Sequence, residues 1–237
     1  MQGDTGLEEL KKEIMTDIYQ NRMLLTSERD RPEGWKLVSG LWSPFYIQLR
    51  LISSYPVTLA KVGRAMAQMI REEAPHVNKL VGIAFAGIPI ATAASLESGL
   101  PAVHTRKLAG VKSEKDLQRV LKEYGQHALV EGVLEEGDSL CLVDDLVTGL
   151  TSKLAAKSQV QAELEARGIK TAACEDIAVL IDRQQGAEEA AKSAGMRLHS
   201  LIRFVDEGLS LLRGRMPSHE HEVISNYLAD PEAFQKG

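Results

Sequence analysis

Residues 139–152 of the chain read Ser-Leu-Cys-Leu-Val-Asp-Asp-Leu-Val-Thr-Gly-Leu-Thr-Ser. Leu140 to Val143 is an unbroken apolar run, the pattern of a strand buried on both faces. Two adjacent carboxylates, Asp144 and Asp145, follow it directly. Thr148, Gly149, Leu150, Thr151 and Ser152 come next, and then a helical pattern over Lys153 to Arg167. Strand, acidic pair, short hydroxyl-rich loop and helix is how an open α/β sheet builds a ligand site at the carboxyl end of a strand. Loop N–H groups and a helix N-terminus favour an anion. The hydroxyls of Thr148, Thr151 and Ser152 add donors, whereas Asp144 and Asp145 suit sugar hydroxyls, a cation or a developing positive charge. An anion pocket beside two carboxylates points to a phosphorylated sugar. On these residues alone, a polar strand end followed by a helix cap accounts for the pattern equally well.

The same unit recurs on both sides of this stretch. Lys79 to Ala84 reads as a buried strand, Phe85-Ala86-Gly87-Ile88-Pro89 as a turn and Ile90 to Ser98 as a helix, with Gly87 permitting close backbone approach. Pro101 to Thr105 is a third strand ending in Arg106-Lys107, two cations that suit either a diphosphate or a solvated strand end. Val111 to Tyr124 is highly charged, and a connection of this length reads as a lid or a disordered segment, with Ser113 and Asp116 able to cap a short helix. After a turn at Gly132 to Gly137 and the stretch already quoted, Thr171 to Ile181 is another strand. Asp182-Arg183-Gln184-Gln185-Gly186 follows, then a helix over Ala187 to Ala194 and a last strand over Arg197 to Phe204. Alternation from Lys79 to Phe204 predicts an α/β fold: a mostly parallel sheet with helices on both faces.

Before this core, Thr5 and Glu8 have capping-box spacing ahead of a helix over Leu7 to Leu24. Trp35 to Val38, a turn at Ser39-Gly40 and a strand over Trp42 to Arg50 predict a hairpin. Its Phe45 and Tyr46 are either packing residues or a stacking surface for a planar ring. Pro56 to Ala74 is an amphipathic helix that opens on proline. Asp206 to Arg213 and Ser218 to Leu228 read as short helices. His219-x-His221 lacks the further ligands a metal needs and reads as a surface helix start. The boundaries that follow are 1–55 for an N-terminal helix and hood hairpin, 56–214 for the core and 215–237 for a helical extension.

Bulk numbers fit this reading. The chain has 237 residues, 44% of them hydrophobic and 26% charged, enough for a sizeable core. A net charge of −5 does not favour a nucleic-acid or membrane-surface role. Cys141 and Cys174 lie in apolar runs and read as buried thiols of a reducing compartment. No stretch approaches the ~20 apolar residues of a membrane span, and the N-terminus has no apolar leader, so the expectation is a cytoplasmic protein with no nucleic-acid or membrane partner.

The residues around Asp144-Asp145 resemble the phosphoribosyl-diphosphate (PRPP) signature of type I phosphoribosyltransferases. That resemblance implies that Asp144 and Asp145 hold the ribose hydroxyls and that Thr148, Gly149, Leu150, Thr151 and Ser152 hold the 5-phosphate, although Leu150 stands where the family usually has glycine. Residues 36–50, KLVSGLWSPFYIQLR, are similar to the N-terminal hood of orotate phosphoribosyltransferases, which assigns Phe45 and Tyr46 to orotate; Val38 replaces a lysine common there. Ala86 and Gly87 fall in the family's pyrophosphate loop, with Ala86 where some members have lysine. Arg106, Lys107, Lys122 and Tyr124 match an Arg-Lys pair and a Lys-x-(His or Tyr)-Gly element that bind PRPP. Extra residues between them imply an enlarged loop, in which Lys112 competes with Lys122 for the catalytic place. Residues 179–202, VLIDRQQGAEEAAKSAGMRLHSLI, resemble the orotate-specific tail, where Arg183 holds the orotate carboxylate through a planar fork. Read without the family, Arg183 serves equally as a salt bridge at a helix start.

The resemblance covers roughly Trp35 to Phe204. It implies transfer of phosphoribosyl from PRPP to orotate in a homodimer, with Asp144, Asp145 and Lys122 catalytic. It also implies Mg²⁺ chelated by the diphosphate and sugar hydroxyls without direct protein ligation. A phosphoribosyltransferase for another base, or a non-catalytic PRPP- or nucleotide-sensing relative, remains open on the sequence.

Overall fold

The structure is a computed structural model that describes residues 6–37, 40–108 and 128–234. Thr5, Val38, Lys112, Lys122 and Tyr124 lie outside the described residues. The chain forms two compact units, Leu59–Leu201 and Met1–Thr58 with Ile202–Gly237.

The larger unit is built on a six-stranded sheet. In chain order its strands are β5 (Lys79–Gly82), β6 (Ala102–Thr105), β7 (Val130–Glu131), β8 (Ser139–Val147), β9 (Ala173–Asp182) and β10 (Arg197–Arg203). In space they run β10-β9-β8-β5-β6-β7. The pairs β5–β6, β5–β8 and β8–β9 are parallel, whereas β7 closes the edge antiparallel to β6 through His104↔Glu131 and Thr105↔Val130. Parallel pairs need crossovers, and helices supply them: Gly87–Ser98 packs on β5, β6 and β8, and Thr151–Arg167 packs on β6 to β9. The two-residue β7 was not legible in the sequence, because Val130-Glu131 is too short to show a period.

The core under the helix Thr151–Arg167 joins Val81, Leu140, Leu142, Ile177 and Val179 from the strands to Leu150, Ala156, Val160 and Leu164 from the loop and helix, all buried. Each of the Val, Leu and Ile side chains contributes about 2 kcal/mol of burial. That helix also carries a polar ladder at i, i+4, i+8. Gln159 Nε2 donates to the carbonyls of Arg106 and Leu129 (2.9 and 2.7 Å), and Glu163 accepts the N–H groups of Leu129 and Val130. Arg167 donates to the carbonyls of Val130 and Gly132 (both 2.9 Å) and to Glu163 (2.6 Å). The ladder satisfies the backbone of the edge segment, which has no further strand beside it among the described residues.

At the amino-terminal end of the strands, Asp176 is buried and accepts from four donors. These are Arg197 Nε and a terminal guanidinium nitrogen (both 2.8 Å), His199 Nε2 (2.9 Å) and His76 Nε2 (2.8 Å). Burial alone would raise this carboxyl, but the three cationic or polar partners outweigh it and hold it well below the usual carboxylate range. Cys141 and Cys174 are free and buried, and burial pushes the Cys174 thiol up to about 12, so both behave as small apolar residues.

In the smaller unit the first helix spans Leu7–Gln20, not Leu7 to Leu24. It stops because Arg22 takes a positive φ of 55° and β1 (Leu24–Thr26) pairs antiparallel with β4 (Phe45–Ile47). The hairpin is likewise reorganised. β2 (Trp35–Lys36) pairs with β3 (Trp42–Ser43), but the expected strand Trp42 to Arg50 is broken at Pro44, which has no N–H to give a ladder. The second half changes partner to β1, and Leu49–Ser54 then turns as a 3₁₀ helix. Phe45 is 1% exposed, 5.2 Å centroid to centroid from Phe204 and 5.8 Å from Tyr227. Tyr227 lies in the helix Ser218–Ala229, whose His219 and His221 meet Glu28 (3.2 Å) and the Leu209 carbonyl (3.1 Å).

Candidate active site

Strand β8 does not end at Val143. It continues through both acids to Val147. Up to Val143 it pairs on both sides, with Gly82↔Val143 the last partners on the β5 side. From Asp144 onward the register runs on with β9, through Asp144↔Val179, Leu146↔Ile181 and Val147↔Asp182. β5 has by then turned through Ile83–Ala86 into its helix, while β6 leaves one way and β9 the other. The acids therefore stand at the carboxyl end of the sheet at the point where connections diverge, which is where open α/β sheets place ligands.

The helix Gly87–Ser98 can start there only because residue 87 is glycine. A Cβ at Gly87 would lie 2.1 Å from the Val143 carbonyl oxygen and 3.1 Å from Asp144 Cα. The close approach expected of Gly87 is made to strand β8. Ala86 precedes it, partly exposed, after a cis Ala84–Phe85 peptide. The Ala84 N–H is held by Thr105 Oγ1 at 3.1 Å.

The two acids are not equivalent. Asp144 is 7% exposed; its Oδ1 accepts the Asp145 N–H at 2.9 Å and its Oδ2 lies 2.8 Å from Lys153 Nζ. Lys153 is buried at 4% and also donates to the Leu146 carbonyl at 2.6 Å. Asp145 is half-buried, and burial, followed by the charge of Asp144 and a hydrogen bond with it, pushes its carboxyl up to about 7, against the opposing pull of Lys153 and the Leu146 N–H.

The loop after β8 is Thr148-Gly149-Leu150, and Thr151 and Ser152 begin the helix, both exposed. Gly149 is exposed, and a Cβ there would meet nothing within 4 Å. A ligand's oxygens can approach its backbone. Leu150 does not crowd this loop. Its side chain is 4% exposed and belongs to the core, its backbone is right-handed helical (φ −92°, ψ −10°), and its carbonyl receives the N–H groups of Lys153 and Leu154. Leu150 can contribute only its backbone to a ligand.

Arg106 and Lys107 close β6. With Ile83, Ala84, Ser152 and Gln159 they line a cavity of about 130 Å³. Arg106 is half-exposed, and its guanidinium lies 3.5 Å from Glu131 on β7. Arg183 follows β9, and its N–H reaches the Val147 carbonyl at 3.0 Å. The carboxyl ends of β5, β6, β8 and β9 thus bring together Ala86, Arg106, Lys107, Asp144, Asp145, Thr148, Gly149, Thr151, Ser152 and Arg183. Phe45 and Tyr46 belong to the other unit. Phe45 is a core residue, so packing accounts for it. Tyr46 is 42% exposed and stacks at 6.2 Å on Trp35. Among the described residues, no group of three or more His, Cys, Asp or Glu side chains is arranged to hold a metal ion, and no helix is long and apolar enough to cross a membrane.

Lys153 joins the site only in three dimensions. The signal was present: Lys153, Ala156, Val160 and Leu164 share the buried face of one helix, and a lysine on such a face needs a buried anion.

No protein-family model matches the sequence. Over 182 residues the chain is 32% identical to the orotate phosphoribosyltransferase of Pyrococcus furiosus, covering 76% of this chain and 89% of that protein. Among solved structures, the orotate phosphoribosyltransferase of Aeropyrum pernix superposes with a TM-score of 0.62 at 19% identity, over 85% of this chain and 97% of that one. The UMP synthase of Leishmania donovani gives 0.73 at 23% identity, over 94% of this chain and 43% of that one.

Proposed function

The chain belongs to the orotate phosphoribosyltransferase family, and we propose that it transfers the 5-phosphoribosyl group of PRPP to orotate, giving orotidine 5-monophosphate and diphosphate. The observation that carries the reading is the acid pair at the divergent end of β8 followed at once by an open backbone loop and a helix N-terminus. In this scheme the loop Thr148–Leu150 and the helix start receive the 5-phosphate through N–H groups and the positive end of the helix dipole. Asp145, with Asp144 behind it, accepts the ribose hydroxyls. As the bond from C1 to diphosphate breaks, positive charge develops on the ribose ring. A carboxylate held in place beneath it needs no reorganisation to stabilise that charge. Arg106 and Lys107, around the neighbouring cavity, offset the charge of the departing diphosphate. Lys122 and Tyr124 keep the roles assigned from the sequence. Arg183 pairs with the orotate carboxylate, and Tyr46 keeps the role assigned from the sequence.

Mg²⁺ would be held through the diphosphate and sugar hydroxyls of the substrate, with Asp144 and Asp145 engaging those hydroxyls, as suits an ion that keeps its waters and binds through substrate phosphates. When bound, it supplies neutralisation of the diphosphate. A homodimer and a cytoplasmic setting complete the reading, the first checked by light scattering. The direct test of function measures diphosphate release from PRPP with orotate, uracil, adenine and hypoxanthine in turn. Release with orotate alone supports the proposal. Release only with another base, or none with any, overturns it.

A further inference from the structure

Building on the PRPP reading of this site, we infer that Lys153 is a positioning residue that divides the labour of the acid pair: it holds Asp144 as its own counter-ion and leaves Asp145 to engage the sugar ring. Both oxygens of Asp144 are already committed, one to the Asp145 N–H at 2.9 Å and the other to the Lys153 ammonium at 2.8 Å. The ammonium has a second anchor in the Leu146 carbonyl at 2.6 Å, so it cannot swing away without leaving two buried acceptors unpaired. Side-chain exposures of 5% for Lys153 and 10% for Asp144 place this pair inside the fold. Asp145 is the more exposed of the two acids, and among the described residues no lysine or arginine forms an ion pair with it.

The charge arrangement gives the lysine a second effect. Two carboxylates on consecutive residues repel, and a sugar-binding acid must be ionised to accept two hydroxyl donors. Lys153 is the cation that pulls on Asp145 while Asp144 and burial push its proton affinity up. Among the described residues the other charged groups at this end are Asp182 and Arg183, which end β9 beside Val147, and Arg106 and Lys107, which follow β6; the turn Ile83–Ala86 on the β5 side carries none. Removing the ammonium therefore takes away the cation in direct contact with the acid pair, and its proton stays bound to higher pH.

The test compares the full-length parent with K153M, K153Q and K153R. PRPP binding by calorimetry and kcat/KM for PRPP are measured from pH 5.5 to 9, alongside the ¹³Cγ titration of Asp145 by NMR. In K153M and K153Q the Asp145 titration and the acidic limb of kcat/KM are expected to move up by about one pH unit, with PRPP bound about tenfold more weakly at pH 7. K153R, which keeps the charge, restores the limb. K153Q retains a donor for Leu146 and serves where K153M fails to fold. A purely structural lysine would lower stability in every variant and leave both titrations where they are in the parent, and that result overturns the inference. A parent that binds no PRPP sinks the functional reading instead, while the Asp145 titration still decides what Lys153 does.

Discussion

Replacing Gly87 and Gly149 by alanine, one at a time, separates what the fold requires from what the ligand requires. At Gly87 the new methyl would sit 2.1 Å from the Val143 carbonyl oxygen. A carbon–oxygen contact relaxes at about 3.4 Å, so helix Gly87–Ser98 and strand β8 must part by roughly 1.3 Å. Overpacking of this kind costs about 3 kcal/mol, which lowers the urea midpoint by about 1 M at a slope near 3 kcal/mol/M. The strand atoms displaced are those of Val143 and Asp144, so the acid pair moves too. A misplacement of about 1 Å at a positioning group costs on the order of 100-fold in kcat/KM. At Gly149 a methyl meets nothing within 4 Å, so G149A is expected to keep its stability to about 0.5 kcal/mol. Its PRPP affinity is expected to fall about tenfold or more, because the methyl occupies space a phosphate needs. Urea melts and calorimetry with PRPP read both effects. A G87A protein as stable as the parent would refute the packing argument, and a G149A protein with parental PRPP affinity would refute the backbone cradle.

Asp176→Asn removes the buried anion shared by Arg197, His199 and His76 and should destabilise by about 3 kcal/mol. Because the native carboxyl is held low, its contribution is complete above the unfolded value near pH 4 and fades as pH falls below it. Melts should therefore differ fully at pH 7 and converge in acid, and equal stability at pH 7 would contradict the network. Arg183→Leu should raise KM for orotate by about 100-fold with unchanged stability; an unchanged KM removes Arg183 from the orotate site. Since Asp145 is pushed up to about 7 and acts ionised, kcat/KM for PRPP should rise through pH 7 and level off above it. D145N should lack that limb, and a parental profile flat from pH 5.5 to 8 would reject the role.

The architecture was legible because its signals are local and periodic. Apolar runs at Lys79–Ala84, Leu140–Val143 and Thr171–Ile181 alternate with helical patterns, and β5, β8 and β9 with their helices fall on them to within a few residues. What failed lay where two local readings were compatible and a distant partner chose between them. Leu24 and Leu25 continue a helical period, yet β4 draws them into a strand. Trp42 to Arg50 has strand composition throughout, but Pro44 splits it between two partners.

The order of chemistry along the chain is written in its residues: an acid pair at a strand end, a loop suited to phosphate, cations after β6 and an arginine after β9. Those follow from residue type and spacing, which need no third dimension. Which side chains turn inward and which outward was settled only by packing between elements. Phe45 turns into an aromatic core and Tyr46 out, Leu150 points its side chain inward and frees the loop, and Gly87 serves strand packing. Lys153 reaches back from its helix to neutralise Asp144. The physical reason is the same in each case: burial and charge compensation are settled between elements that meet only when the sheet forms.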